Sequence, residues 1–123
     1  MKNRESITQA RQNIANLIID ILAEKITVQE AIKSYPQGIK DESAECAFHA
    51  ILHYEADEDY RKHDPDYFEE QKNYLEYIAN LFRQDEDLPS NIIDEYRKYY
   101  ETPPLMSKKG IMYTIKSLFR LIH

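Results

Sequence analysis

The chain has 123 residues, of which 42% are hydrophobic and 31% charged, and its formal net charge is −6 at pH 7. This length suits one domain with its own core, and the acidic balance argues against a nucleic-acid partner because phosphates attract Lys and Arg. The two glycines, Gly38 and Gly110, are too few for a glycine-rich phosphate-binding loop, which excludes the common nucleotide sites.

Hydrophobic periodicity and the scarcity of breakers predict an all-α fold, an irregular bundle of five to six helices. The first helix is predicted over residues 6–24, with Ser6 and Gln9 forming a capping box at its start. Thr27 and Glu30 repeat that pattern and predict a short second helix, which ends at a turn containing proline and glycine.

The third predicted helix spans 42–63 and carries two stripes of side chains. One stripe holds Ala44, Ala47, Phe48, Ile51 and Leu52. The other has the heptad spacing of close helix packing and holds His49, His53, Ala56, Tyr60 and His63. A fourth helix over 64–83 follows, with Asp64 as its N-cap and Pro65 in its first turn. The short break between these helices predicts a central antiparallel helical hairpin.

A loop is predicted at 85–91, followed by a fifth helix with a tyrosine-rich face that Pro103 and Pro104 end. The segment 105–123 has four basic residues and no acidic one, and it predicts a sixth, amphipathic helix over 107–122. We therefore describe a single domain with two parts, an acidic helical bundle at 1–104 and a basic C-terminal helix at 105–123. This helix is expected to pack on its own bundle or on a second protomer, forming a homodimer.

One strip of the third helix has the residue types of a metal site. Cys46, His49 and His53 are spaced C-x-x-H-x-x-x-H, and zinc binds thiolate sulfur and imidazole nitrogen. The strip lacks a fourth ligand, so the alternative is that the histidines pack between helices and bond to tyrosines. We expect no cofactor, with zinc or another divalent metal as the alternative. Glu42 and Glu45 oppose a thiolate, which disfavours a nucleophilic cysteine.

Acidic residues are concentrated between residues 55 and 70, where only Arg61 and Lys62 oppose them. The eight are Glu55, Asp57, Glu58, Asp59, Asp64, Asp66, Glu69 and Glu70. They form either a solvated helix face or a docking surface for a basic protein. Tyrosine is enriched at interfaces, so the predicted partner-binding residues are Glu55, Asp57, Glu58, Asp59, Tyr96, Tyr99 and Tyr100.

No set of residues converges on a reaction. The leading hypothesis is a non-enzymatic interaction protein, an adaptor, inhibitor or immunity-like factor that presents the acidic hairpin to a basic protein partner. The alternative is a metal-binding protein or metal-dependent enzyme built on Cys46, His49 and His53. No apolar run exceeds three residues and Cys46 is the sole cysteine, which predicts a cytoplasmic protein without integral membrane association. The Lys, Ile and Tyr content suggests a bacterial source.

Overall fold

The computed structural model describes residues 2–101, with the side chains of residues 4–98. Within this range it contains six helices and no strands: α1 (Lys2–Leu22), α2 (Val28–Ser34), α3 (Glu42–Ala56), α4 (Glu58–His63), α5 (Pro65–Arg83) and α6 (Ser90–Glu101). The predicted all-α bundle is confirmed. The helix predicted at 107–122 lies outside the described residues. None of the six helices combines the length and the apolar character needed to cross a membrane.

The core is organised around α5, which contacts α1, α3 and α4 and packs most extensively on α1. Both helices bury a stripe at helical spacing, with members Ile14, Ala15, Ile18 and Ile21 from α1 and Tyr74, Leu75, Ile78 and Phe82 from α5. The first helix begins earlier than predicted, at Lys2, so Ser6 lies within it and is not its cap. Residues 2–5 contain no breaker, and Lys, Arg and Glu are good helix formers.

The predicted helix starts at Thr27 and Asp64 are confirmed. The Thr27 N–H donates to Glu30 Oε1 at 2.9 Å, and the Glu30 N–H donates to Thr27 Oγ1 at 3.1 Å, so the capping box of α2 is complete. The Asp64 carboxylate accepts from the Tyr67 N–H at 3.1 Å, and Pro65 opens α5. These side chains satisfy amides that have no partner within the helix.

The structure divides the predicted helix over 42–63 into two helices, α3 and α4, which meet at Asp57. The Asp57 side chain is fully buried and accepts hydrogen bonds from the Tyr67 hydroxyl at 2.5 Å and from Gln71 Nε2 at 3.4 Å. A buried carboxylate requires such donors. Because both donors lie on α5, they hold Asp57 inward at the junction, where its ψ of 16° departs from helical geometry.

Candidate functional site

The acidic segment places its carboxylates in different environments. Glu58 and Asp59 are exposed in the first turn of α4, and Glu55 is half-buried, near Gln29 Nε2 at 3.3 Å. Asp57, also predicted to bind a partner, is buried beneath them, so its carboxylate does not reach the surface. Its role is to anchor the α3–α4 junction to α5, because its carboxylate accepts the Tyr67 hydroxyl.

An exposed aromatic ring lies among these acids. Phe68, in the first turns of α5, is 44% exposed. Within residues 4–98 it is the one large hydrophobic side chain that is exposed and not buried or half-buried. Asp66 and Glu69, which flank it, are exposed as well. We define the acidic face as Phe68 together with the four exposed carboxylates of Glu58, Asp59, Asp66 and Glu69.

A groove of about 480 Å³ adjoins the acidic face, and Phe68 forms part of its wall. Its apolar lining comes from Ile21, Ile26, Val28, Tyr54 and Phe68. Three bases and three acids also line the groove, so its own charge is balanced. Two of these bases already have partners, since Lys62 Nζ lies 3.1 Å from Glu58 and the Arg61 guanidinium lies 3.7 Å from the Tyr54 ring centroid.

The strip of Cys46, His49 and His53 is packed between helices. Cys46 is 3% exposed and hydrogen-bonded to Tyr74, and burial raises the pKa of its thiol to about 12. Such a thiol stays protonated at neutral pH, whereas cysteine nucleophiles are thiolates. Burial lowers the pKa of His49, and burial with the nearby His49 lowers the pKa of His53 to about 4.

The described residues contain no group of three His, Cys, Asp or Glu side chains placed to hold a metal ion. His49 packs against aromatic side chains of α3 and α6. The His49 ring lies 5.1 Å from the ring of Tyr96 and 5.5 Å from that of Phe48, measured between centroids.

Comparison with protein-family models, with curated proteins and with solved structures finds no match to this chain.

Tyr96 was predicted to bind a partner, and the structure places it half-buried on α6 against α3. The side chains of Tyr99 and Tyr100 lie outside the described set. Tyr96 also lines a second cavity, of about 320 Å³, between the α2–α3 loop, α3 and α6. We call it the aromatic cavity, because its wall includes four rings, those of Tyr35, Phe48, His49 and Tyr96.

The loop that borders the aromatic cavity is held by a buried arginine that the sequence analysis did not identify. Arg11 of α1 is 1% exposed and makes two hydrogen bonds to Asp41, from Nε at 2.8 Å and from Nη2 at 3.0 Å. Its guanidinium also lies 2.6 Å from Asp87 and 3.4 Å from Asp85. The bonds to Asp41 are the main cause of the raised pKa of Arg11. This arginine cluster fixes the loops before α3 and α6 against α1.

Proposed function

We propose that this protein is a non-enzymatic interaction module that docks a basic amphipathic helix of a partner protein on its acidic face. The observation that carries the proposal is the 44% exposure of Phe68 beside a groove with an apolar lining. Exposed aromatic rings next to apolar pockets are frequent energetic centres of protein contacts.

The charge around Phe68 sets the chemistry of the partner. Seven acids other than the buried Asp57 lie between residues 55 and 70, and Arg61 and Lys62 are the bases there. Both bases are engaged within the chain, Lys62 with Glu58 and Arg61 with Gln71 Oε1 at 2.9 Å. The surplus of exposed carboxylates favours a basic partner and speeds its association at low salt.

The shape of the site supports a helical partner. The groove is large enough for bulky apolar side chains, and Phe68 extends its apolar wall to the surface. An amphipathic helix presents apolar residues on one side and bases beside them, so it matches an apolar groove bordered by carboxylates. Such a surface suits an adaptor, an inhibitor or an immunity-like factor.

A defined peptide tests this proposal on the full chain. An 18-residue helical peptide built from Leu and Lys is titrated by calorimetry and compared with the same peptide carrying Glu in place of Lys. We expect saturable binding of the Lys peptide alone. Phe68→Ser should weaken it about tenfold, which is the scale of a central aromatic contact.

Charge variants locate the contact. Asp59→Asn combined with Glu69→Gln should weaken the Lys peptide and flatten its salt dependence. Asp94→Asn, an exposed acid on α6, is the matched control and should leave binding unchanged. Equal binding of the Lys and Glu peptides, or equal effects of the acidic-face and control variants, would contradict the proposal.

A further inference from the structure

Four aromatic rings of the aromatic cavity are in contact with one another. They form a continuous series, with centroids 5.0 Å apart for Tyr35 and Phe48, 5.5 Å for Phe48 and His49, and 5.1 Å for His49 and Tyr96. The angles between successive ring planes are 63°, 83° and 36°, so the rings meet edge-on or tilted and do not stack flat.

The hydrogen-bonding groups of this wall are already committed in part. Tyr35 is 7% exposed, and its hydroxyl donates to the Ala44 carbonyl at 2.6 Å. The face of an aromatic ring is the negative end of its quadrupole, so rings around a small volume attract a positive group.

The formal charge in the lining of the cavity also favours a cation. Of the described residues that line it, Glu45 is the one with a formal charge, and its side chain is exposed. Burial raises the pKa of Tyr96, and the Glu45 carboxylate raises it further, which places that negative charge next to the rings.

The α2–α3 loop that borders the cavity is fixed at its turn and at its end. Gly38, which lines it, adopts a φ of 72°, a conformation that side chains disfavour, and so allows the α2–α3 loop to turn. Asp41, at the end of this loop, is bound by Arg11 and caps α3 through the Ser43 N–H at 3.2 Å. Binding a ligand therefore requires little ordering of the loop.

We propose that the aromatic cavity binds a small quaternary ammonium group, with the rings of Phe48, His49 and Tyr96 around it and Glu45 balancing its charge. A volume of about 320 Å³ lies at the lower end of small-molecule sites. A quaternary ammonium donates no classical hydrogen bond and so does not require the ring of acceptors that a primary amine needs. This inference is independent of the acidic face.

The test uses choline and its neutral carbon isostere, 3,3-dimethylbutan-1-ol, each titrated into the full chain. Aromatic proton shifts in NMR spectra report binding, because the rings line the cavity. We expect saturable shifts with a millimolar dissociation constant for choline, and affinity for the isostere lower by about fivefold or more. Equal affinities would overturn the proposal, since the cavity would then be merely apolar.

Three variants complete the test. Phe48→Leu keeps an apolar wall without a π system, so it should weaken choline severalfold while the isostere still binds, and that binding also shows that the cavity is intact. Glu45→Gln should weaken choline alone. Asp59→Asn, on the acidic face, should leave choline binding unchanged, just as Glu45→Gln should leave the Lys peptide unaffected. Choline binding that is insensitive to both Phe48→Leu and Glu45→Gln would refute the site.

Discussion

Replacing Arg11 with methionine tests the arginine cluster. The substitution retains an apolar side chain of similar length and removes the guanidinium. The Arg11 side chain is 2% exposed, and of its three carboxylate partners Asp41 is 8% exposed, Asp85 26% and Asp87 75%. Removing one partner of a buried ion pair costs about 3–5 kcal/mol, whereas an exposed pair contributes less than about 1 kcal/mol.

The loss of stability in Arg11→Met therefore depends mainly on Asp41. Asp87 returns to water after the substitution, and Asp85 keeps Arg4 at 2.7 Å and the Thr8 hydroxyl at 2.7 Å. Asp41 retains one donor, the Ser43 N–H, so the loss falls at the lower end of the range. We expect Arg11→Met to lower the free energy of unfolding by about 3 kcal/mol, a large part of the 5–15 kcal/mol typical of one domain.

Urea unfolding followed by circular dichroism measures this loss, with an unchanged m-value as the check that the unfolded state is the same. Asp87→Asn is the control and should cost less than about 1 kcal/mol. The double variant Arg11→Met, Asp41→Asn should cost less than the sum of the two single variants. Each single variant leaves one buried charge without its partner, whereas the double variant removes both charges. A cost below about 1 kcal/mol for Arg11→Met, or an equal cost for Asp87→Asn, would show that the cluster is not coupled as its geometry indicates.

Four further predictions address stability, metal binding and assembly. Because the pKa of His53 falls from 6.5 to about 4 on folding, the unfolded state takes up its proton first. Stability should therefore fall by about 2 kcal/mol between pH 6.5 and 4 in urea titrations, and a His53→Gln variant should lose less. Tyr67→Phe removes the hydroxyl that donates to buried Asp57 and should lower the free energy of unfolding by about 2 kcal/mol in thermal unfolding. An unaltered stability would show that this hydrogen bond does not stabilise the fold. Elemental analysis of protein purified without chelator should find no stoichiometric zinc, and about one zinc per chain that Cys46→Ser removes would favour the metal-site alternative. If the basic segment 105–123 joins two acidic bundles, light scattering at tens of micromolar should find a homodimer that dissociates more readily as the salt concentration rises. A monomer would contradict this assembly and favour packing of the segment on its own bundle.

The order of the helices could be predicted from the sequence because its signals are local. Thr27 with Glu30, and Asp64 with Pro65, are start signals separated by three residues or fewer, and the structure uses both. Apolar residues also recur at helical spacing in the faces that α1 and α5 bury, such as Ile14 with Ile18 and Ile78 with Phe82. Such patterns depend only on the geometry of one helix.

The break at Asp57 could not be predicted, because the heptad spacing continues through it and the donors that bury its carboxylate lie 10 and 14 residues away. The arginine cluster joins residues 30 to 76 positions apart. Its one local sign is that Arg11 lies within the apolar stripe of α1, three residues before Ile14. The aromatic cavity combines a loop with two helices, so it depends on packing that no single segment encodes.

The pairing of α1 with α5 also has a consequence for synthesis on the ribosome. Ile14 and Leu75 lie in one core but are separated by about 60 residues, which take roughly 3–12 seconds to translate. During this interval the apolar side of α1 has no α5 to cover it, and α2 and α3 bury only part of it. The nascent chain is therefore vulnerable to aggregation until α5 emerges, and a chaperone that recognises apolar segments would find its binding site in α1.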